Sequence, residues 1–447
     1  MAGLVVLGNP PARVGNEVMS NVPPPFVHLL PGAPPLVFTV DDSGIFEAEP
    51  EFFEILRNAT AAKQAELLNL GNRPAHARKE PTTLPAPTAI SLNLAQSCNL
   101  SCSYCYADEG RFGGRPDMMS FEVAAAAIDQ LLAGAPGQRV TVGFIGGEPF
   151  LNRQVLCAAV KYAEQRARVS GSTVGFSVTT NGTLLTPQDL DFLRDHPFAV
   201  SVSLDGSAKV NDQNRRSRNG SSAFESAVHV LGPLLQSPGK ARITARATIT
   251  REDLRVTERI EALLAAGFRE VGVSPLRTSP APALALGEHD WPVFLNEMIR
   301  AAEAERQHLI RGGELRFSNL AIALKQLHAG FCKPLPCGSA ASYVSVSARG
   351  EYFTCHRTID NPNFALGSTT EGLSTAHRED FLRARHVDLQ QPCRSCWARY
   401  LCGGGCHAEV LSAGRSGCDY IRGWLEYCLR FYDRALVEFP SLFRKEI

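Results

Sequence analysis

The sequence predicts an α/β protein built on a partial (β/α)6 barrel, with a small α+β unit before it and a cysteine-rich region after it. Three observations carry this reading. From Thr88 onward, strand-like and helix-like segments alternate, as parallel βα units do. A loop with three cysteines follows the first of those strands, and sheets of this kind gather chemistry at the C-terminal ends of their strands. Beyond Phe317 long periodic segments run out, and nine of the thirteen cysteines lie there. The expected division is therefore 1–87, 88–316 and 317–447.

Within 1–87, Leu36–Val40 reads as a strand, Asp41-Asp42-Ser43-Gly44 as a turn and Ile45–Glu47 as the returning strand. A helix follows, with Phe52, Phe53, Ile55, Leu56, Leu67 and Leu68 as apolar contacts. Residues 71–87, rich in Pro, Thr and charge, read as a linker. The barrel strands are expected at Ile90–Leu94, Val140–Ile145, Val174–Val178, Ala199–Leu204, Arg242–Ile249 and Glu270–Val273. The helices between and after them are Phe121–Leu132, capped by Ser120, Leu151–Arg168, one opening at Thr186-Pro187, Ala223–Leu235, Glu252–Ala266 and Trp291–Ile310.

Composition narrows the function. A chain of 447 residues with 44% apolar content holds two or three domains with sizeable cores. Lys+Arg and Asp+Glu balance at 45 each, so no net field draws the chain to nucleic acid or to an anionic membrane. Met1 to Gly15 lack a basic start followed by an apolar run, and no stretch of about 18 apolar residues could span a bilayer. Thirteen cysteines without an export signal argue for metal ligation in a reducing cytoplasm.

The spacing Cys98-x₃-Cys102-x₂-Cys105 gathers three thiolates within eight residues, with no nearby fourth. A structural zinc site completed by a distant ligand is one reading. A 4Fe-4S cluster held at three corners is the other, and it leaves one iron free to chelate a small molecule. Gly146-Gly147-Glu148-Pro149 ends the second strand. Glycines there would let main-chain groups approach a ligand amine, and Glu148 could accept from an ammonium; a plain turn is the alternative. Thr179–Gly182 and Ser203–Gly206 end the third and fourth strands, and Arg246 lies in the fifth, able to pair with a carboxylate. Loop caps and a structural ion pair would explain them equally. The run Asn214–Arg218 is basic, and such runs are usually solvated surface.

The cysteine loop, with Tyr104 at its aromatic position, resembles the signature of the radical S-adenosylmethionine (SAM) enzymes, and Gly146–Pro149 resembles their GGEP motif. The resemblance implies that SAM chelates the open iron through its amino and carboxylate groups and is cleaved by one electron. The adenosyl radical so formed takes hydrogen from substrate. It implies cofactor contacts for Tyr104, Gly146, Gly147, Glu148, Asn181, Ser203 and Arg246.

Further on, Cys337-x₁₂-Gly350-x₄-Cys355, Cys393-x₂-Cys396-x₅-Cys402-x₃-Cys406 and Cys428 are similar to the SPASM pattern of peptide-modifying radical SAM enzymes. This implies two auxiliary 4Fe-4S clusters, three in all. Cys332, Cys337, Cys355 and Cys406 would hold one, and Cys393, Cys396, Cys402 and Cys428 the other, with Cys418 competing as last ligand. Cys157 is expected to be a buried inert thiol.

The segments Cys105-Tyr106-Ala107 to Phe112-Gly113-Gly114, Cys355-His356-Arg357 and Cys402–Glu409 resemble thioether-forming maturases, closest to those of quinohemoprotein amine dehydrogenase. That implies a ribosomally made Cys-containing peptide or small subunit as partner, an external one-electron reductant, and Cys-to-Asp/Glu thioether crosslinks as product. A sulfatase-maturase or epimerase activity is an alternative within the family, and a non-catalytic partner-binding scaffold one outside it. Asp205 and His356 are the candidate catalytic residues. His356 could serve as a base near the auxiliary cluster or hydrogen-bond a cluster sulfur; sulfatase maturases carry Asp there. The N-terminal unit resembles a precursor-recognition element that binds a leader as an added strand.

Overall fold

The computed structural model describes residues 26–70 and 84–444. The start at Met1–Gly15 and most of the expected linker, 71–83, lie outside them. The chain groups into two units, Thr83–Asn319 with Gly338–Phe381, and Met1–Thr82 with Leu320–Cys337 and Leu382–Ile447.

The N-terminal strands are β1 (Val27–Leu30), β2 (Leu36–Thr39) and β3 (Gly44–Glu47), followed by α1 (Pro50–Asn58) and α2 (Ala61–Leu67). The three strands pair antiparallel in the order β1-β2-β3. Val27 and Val37 pack with Phe53 and Leu56 of α1, while Ile55, expected among the apolar contacts, points outward at 54% exposure. The Cys-rich end of the same unit holds a short helix Arg399–Cys402, a helix His407–Ala413 and a 21-residue helix Cys418–Glu438. The last was not expected. Its buried residues Tyr420, Trp424, Cys428, Phe431 and Ala435 recur at helical spacing.

The larger unit carries the predicted barrel. β4 (Ala89–Ala95), β6 (Arg139–Gly146), β7 (Thr173–Thr180), β8 (Phe198–Ser203), β10 (Arg242–Ile249) and β11 (Val271–Pro275) are all parallel, in the order β11-β10-β8-β7-β6-β4. Between them lie the short strands β5 (Leu100–Cys102) and β9 (Arg215–Ser217), which pair with each other antiparallel. The helices fall where periodicity put them. Phe121–Gly134 starts from a Ser120 cap, and Pro187–Asp195 starts from a Thr186–Asp189 capping box with Pro at its first turn.

β10 alternates cleanly. Ile243, Ala245, Ala247 and Ile249 are buried, and Thr244, Arg246 and Thr248 take the opposite, polar face. The sheet does not stop at six strands. β12 (Tyr343–Val346) pairs parallel with β4, and β13 (Glu351–Phe353), β14 (Ala365–Ser368) and β15 (Gly372–Leu373) continue it antiparallel. This is why the division differs from the three consecutive domains expected: residues 338–381 belong to the barrel's unit because their backbone completes its sheet. Among the described residues no helix is long and apolar enough to cross a membrane.

Candidate active site

The three-cysteine loop leaves the C-terminal end of β4 and is sealed by main chain. Gly147 N–H donates to Ala95 O at 2.8 Å, and Glu148 N–H to Ser97 O at 2.9 Å. A Cβ on Gly147 would lie 2.2 Å from Ser97 O, and one on Gly146 would lie 2.4 Å from Ala95 O. The two glycines are required because the β6 end is pressed against the start of the cysteine loop. The approach foreseen toward a ligand is thus, first, an approach of backbone to backbone.

Burial, with Cys102, Cys105 and Glu148 nearby, pushes the Cys98 thiol up to about 12. Burial likewise brings Cys102 to about 11. Thiols held this way stay protonated near neutral pH unless a cationic cargo stabilises the thiolates. Among the described residues no three Cys, His, Asp or Glu side chains are gathered tightly enough to share one metal ion; an iron–sulfur cube spreads its thiolates over separate corners.

The strand ends around the loop are cross-braced. Glu148 is wholly buried. Its Oε1 accepts from Thr180 Oγ1 at 2.7 Å and Phe150 N at 3.2 Å, and its Oε2 accepts from Asn181 N at 2.8 Å. With no exposed surface it is a strut between the ends of β6 and β7. Asn181 reaches the loop directly: its Nδ2 donates to Asn99 Oδ1 at 2.9 Å and lies 3.8 Å from Cys98 Sγ.

Asp205, a candidate catalytic residue, is fully buried, and its carboxylate is engaged on both oxygens. Oδ2 accepts from Tyr104 OH at 2.5 Å, and Oδ1 accepts from Thr248 N at 2.8 Å and Arg215 Nη2 at 3.1 Å. A carboxylate so engaged anchors its neighbours. Tyr104, a candidate cofactor contact, turns its hydroxyl to this anchor. Arg215 went unnoticed as part of a basic run, yet it is only 8% exposed. The available signal was its position ten residues after the buried Asp205.

Ser203 and Arg246 are brought together. Arg246 is the register partner of Ser203 on one side and of Gly272 on the other. A Cβ on Gly272 would lie 2.4 Å from Arg246 Nη1, so glycine makes room for the guanidinium on the polar face.

His356 opens a 3₁₀ turn after the buried Cys355. Its Nδ1 lies 3.0 Å from Tyr343 OH, and burial beside Arg357 brings it down to about 4. It is therefore neutral near pH 7.

The cysteines of the other unit fall into recognisable company. Arg415 Nε donates to Cys393 Sγ at 3.3 Å. Arg422 hydrogen-bonds Cys396. The N–H groups of Gly404 and Gly405 donate to Cys402, in a run of three glycines with positive φ, an anion-accepting arrangement. Cys402 and Cys418 each feel Cys393 and Cys396. Cys337, Cys393 and Cys406 all act on Arg385.

Cys428 does not join them. It is fully buried on the long helix, and burial alone perturbs it. It also lies ten residues, roughly 15 Å, along that helix from Cys418. Cys332 rests against the β2–β3 turn, its thiol 3.4 Å from Asp41 O. Cys157, expected buried, is half-buried on the helix Arg153–Ser170.

With this geometry in hand, the comparisons are informative. The profile of the Radical SAM superfamily matches residues 92–232. The serine-type anaerobic sulfatase-maturating enzyme of Klebsiella aerogenes is 24% identical over 74% of this chain and 82% of its own length. The mycofactocin maturase MftC of Mycolicibacterium smegmatis is 26% identical over 74% of this chain and 81% of its own. The structure of native anSMEcpe with bound AdoMet superposes with a TM-score of 0.66 at 19% identity, covering 78% of this chain and 99% of the other. The fold is that of the radical SAM enzymes, whose cofactors are SAM and iron–sulfur clusters.

Proposed function

We propose that this radical SAM protein modifies a ribosomally made peptide or small protein subunit, closing a thioether between a substrate Cys and a side-chain carbon of Asp or Glu. The observation that carries the reading is the loop at the end of β4. Three thiols are held there, and among the described residues no fourth ligand stands in the loop with them. Cys98, Cys102 and Cys105 would hold the SAM-binding cluster, which when loaded supplies one-electron cleavage of the sulfonium and so hydrogen-atom abstraction.

The chain's own part is placement. Gly146 and Gly147 hold the loop against the strand ends, Asn181 fixes Cys98, and Glu148 ties β6 to β7. Ser203 and Arg246 offer a hydroxyl and a cation on the polar face of the sheet, suited to the cofactor's carboxylate. In the other unit Cys393, Cys396, Cys402 and Cys418 would hold one auxiliary cluster, since donors aimed at three of these thiols favour thiolate. Cys332, Cys337 and Cys406 of the same unit are proposed ligands of the second. A reductant from outside the chain starts each turnover.

The substrate class is supported by relatives named as maturases and by a neighbour solved with a bound peptide, the Cp18Cys complex of anSMEcpe. Among the described residues the outer edge of β3 pairs with no strand, and a precursor segment could add there. A cavity of about 590 Å³, lined by Pro31, Pro34, Glu47, Glu49 and Phe53, lies beside that edge.

A sulfatase-maturase activity is the second reading, favoured by the likeness to the Klebsiella enzyme over most of both chains. His356 in place of Asp after Cys355 counts against it. Anaerobic reconstitution with SAM, a reductant and a Cys-bearing precursor decides. The proposal expects a loss of two hydrogens per bond together with loss of the alkylatable thiol. An aldehyde product supports the second reading, formed at Ser with the thiols intact or at Cys with the sulfur lost from the peptide, and unchanged precursor mass removes both.

A further inference from the structure

Arg215 sits on β9 directly across the ladder from Cys102 on β5. Its guanidinium is gripped from two sides. Nη2 donates to Asp205 Oδ1 at 3.1 Å, and the guanidinium carbon lies 5.4 Å from the centre of the Tyr104 ring. Asp205 is itself fixed by Tyr104 and Thr248, and its carbonyl oxygen accepts from Arg259 Nη1 at 2.8 Å. From this seat the guanidinium hydrogen-bonds the Cys102 thiol.

One donor is left over: Arg215 Nε is buried and meets no acceptor among the described residues. Buried N–H groups are seldom left so, and the nearby sulfur ligand is the natural acceptor. Cys98, by contrast, meets neutral donors among the described residues, Leu100 N at 3.4 Å and Asn181 Nδ2 at 3.8 Å.

We propose that Arg215 is a positioning residue that fixes Cys102 and raises the reduction potential of the cluster held by the three-cysteine loop. The proposal rests on the radical SAM reading. An electron entering a cluster adds negative charge, which a cation held in contact with one thiolate stabilises in a dry site. Asp205, bonded to that cation, moderates the effect. The two residues should therefore pull the potential in opposite directions, which no general loosening of the fold would do.

The test is an EPR-monitored redox titration of the full-length, anaerobically reconstituted protein, following the reduced-cluster signal that changes on adding SAM. Arg215→Gln should make that cluster at least tenfold harder to reduce, a negative shift of about 59 mV for a one-electron couple. Asp205→Asn should shift it positively, and Arg215→Lys, which keeps the charge, should stay nearer wild type than Arg215→Gln.

Unchanged potentials with full iron content would overturn the inference. So would shifts of one sign in both neutralising variants. If Arg215→Gln fails to load its cluster, Arg215→Lys decides: loading with a near-native potential supports the role of the charge, and the same failure in a folded protein refutes it. A wild-type protein with no SAM-responsive signal would instead sink the radical SAM reading.

Discussion

The two cysteine-rich regions hold their thiols by different means. Around Cys98, Cys102 and Cys105 the scaffold is regular structure: parallel strands with an apolar core, glycines pressed onto the loop's backbone, and a buried Tyr104–Asp205–Arg215 anchor. Around Cys393, Cys396, Cys402 and Cys418 the thiols ride on short turns and a helix start, and they are met by Arg415, Arg422 and a glycine nest. The first arrangement suits a reactive centre, where geometry must be fixed before the cofactor arrives. The second suits a centre whose metal is part of the fold.

Breaking each region separately should give different phenotypes. Cys98→Ala removes one of three ligands from a site with no spare, so SAM cleavage to 5′-deoxyadenosine should vanish. Normal cleavage by that variant would remove the assignment. Cys396→Ala should leave some SAM cleavage, uncoupled from product, and full product from it would remove the case for an auxiliary cluster there. A smaller effect separates the two candidates for the last ligand. Cys418→Ala should lose about a third of the iron of a three-cluster protein, whereas Cys428→Ala should keep all of it and lose only about 1 kcal/mol of stability from a small cavity. Equal iron loss in both variants would undo the preference for Cys418.

The same contrast explains what could be read from sequence. The barrel was legible because each strand and helix carries its own periodicity: Arg242–Ile249 alternates along its length, and Ser120 and Thr186 mark helix starts. The cysteines were legible from spacing. The roles of the polar residues between them were not, because burial and partners are tertiary facts. Asp205 and Arg215 look like a rim carboxylate and a surface cation until β9 folds back onto β5 and buries them together. Cys418 and Cys428 are equivalent in a string; only the helix that separates them tells them apart. β12 was missed since its four residues join the barrel solely by pairing with β4.

A further prediction concerns the strut. Burial raises the Glu148 carboxyl to about 7, against donors from Asn181, Thr180 and Phe150 that pull the other way. In the unfolded chain it titrates near 4.3, so the native state binds its proton more tightly. Its contribution to stability is then largest below about pH 4.3. It is lost as pH rises to about 7, where the native carboxyl ionises without a cation in contact, and the total is about 4 kcal/mol. Denaturant titrations of the cluster-free protein between pH 5 and 8 should show this downward slope superimposed on the rest, and Glu148→Gln should flatten it. If the variant keeps the wild-type slope, the carboxyl ionises in the folded state as easily as in water, and the strut between β6 and β7 is then wetter than its burial implies.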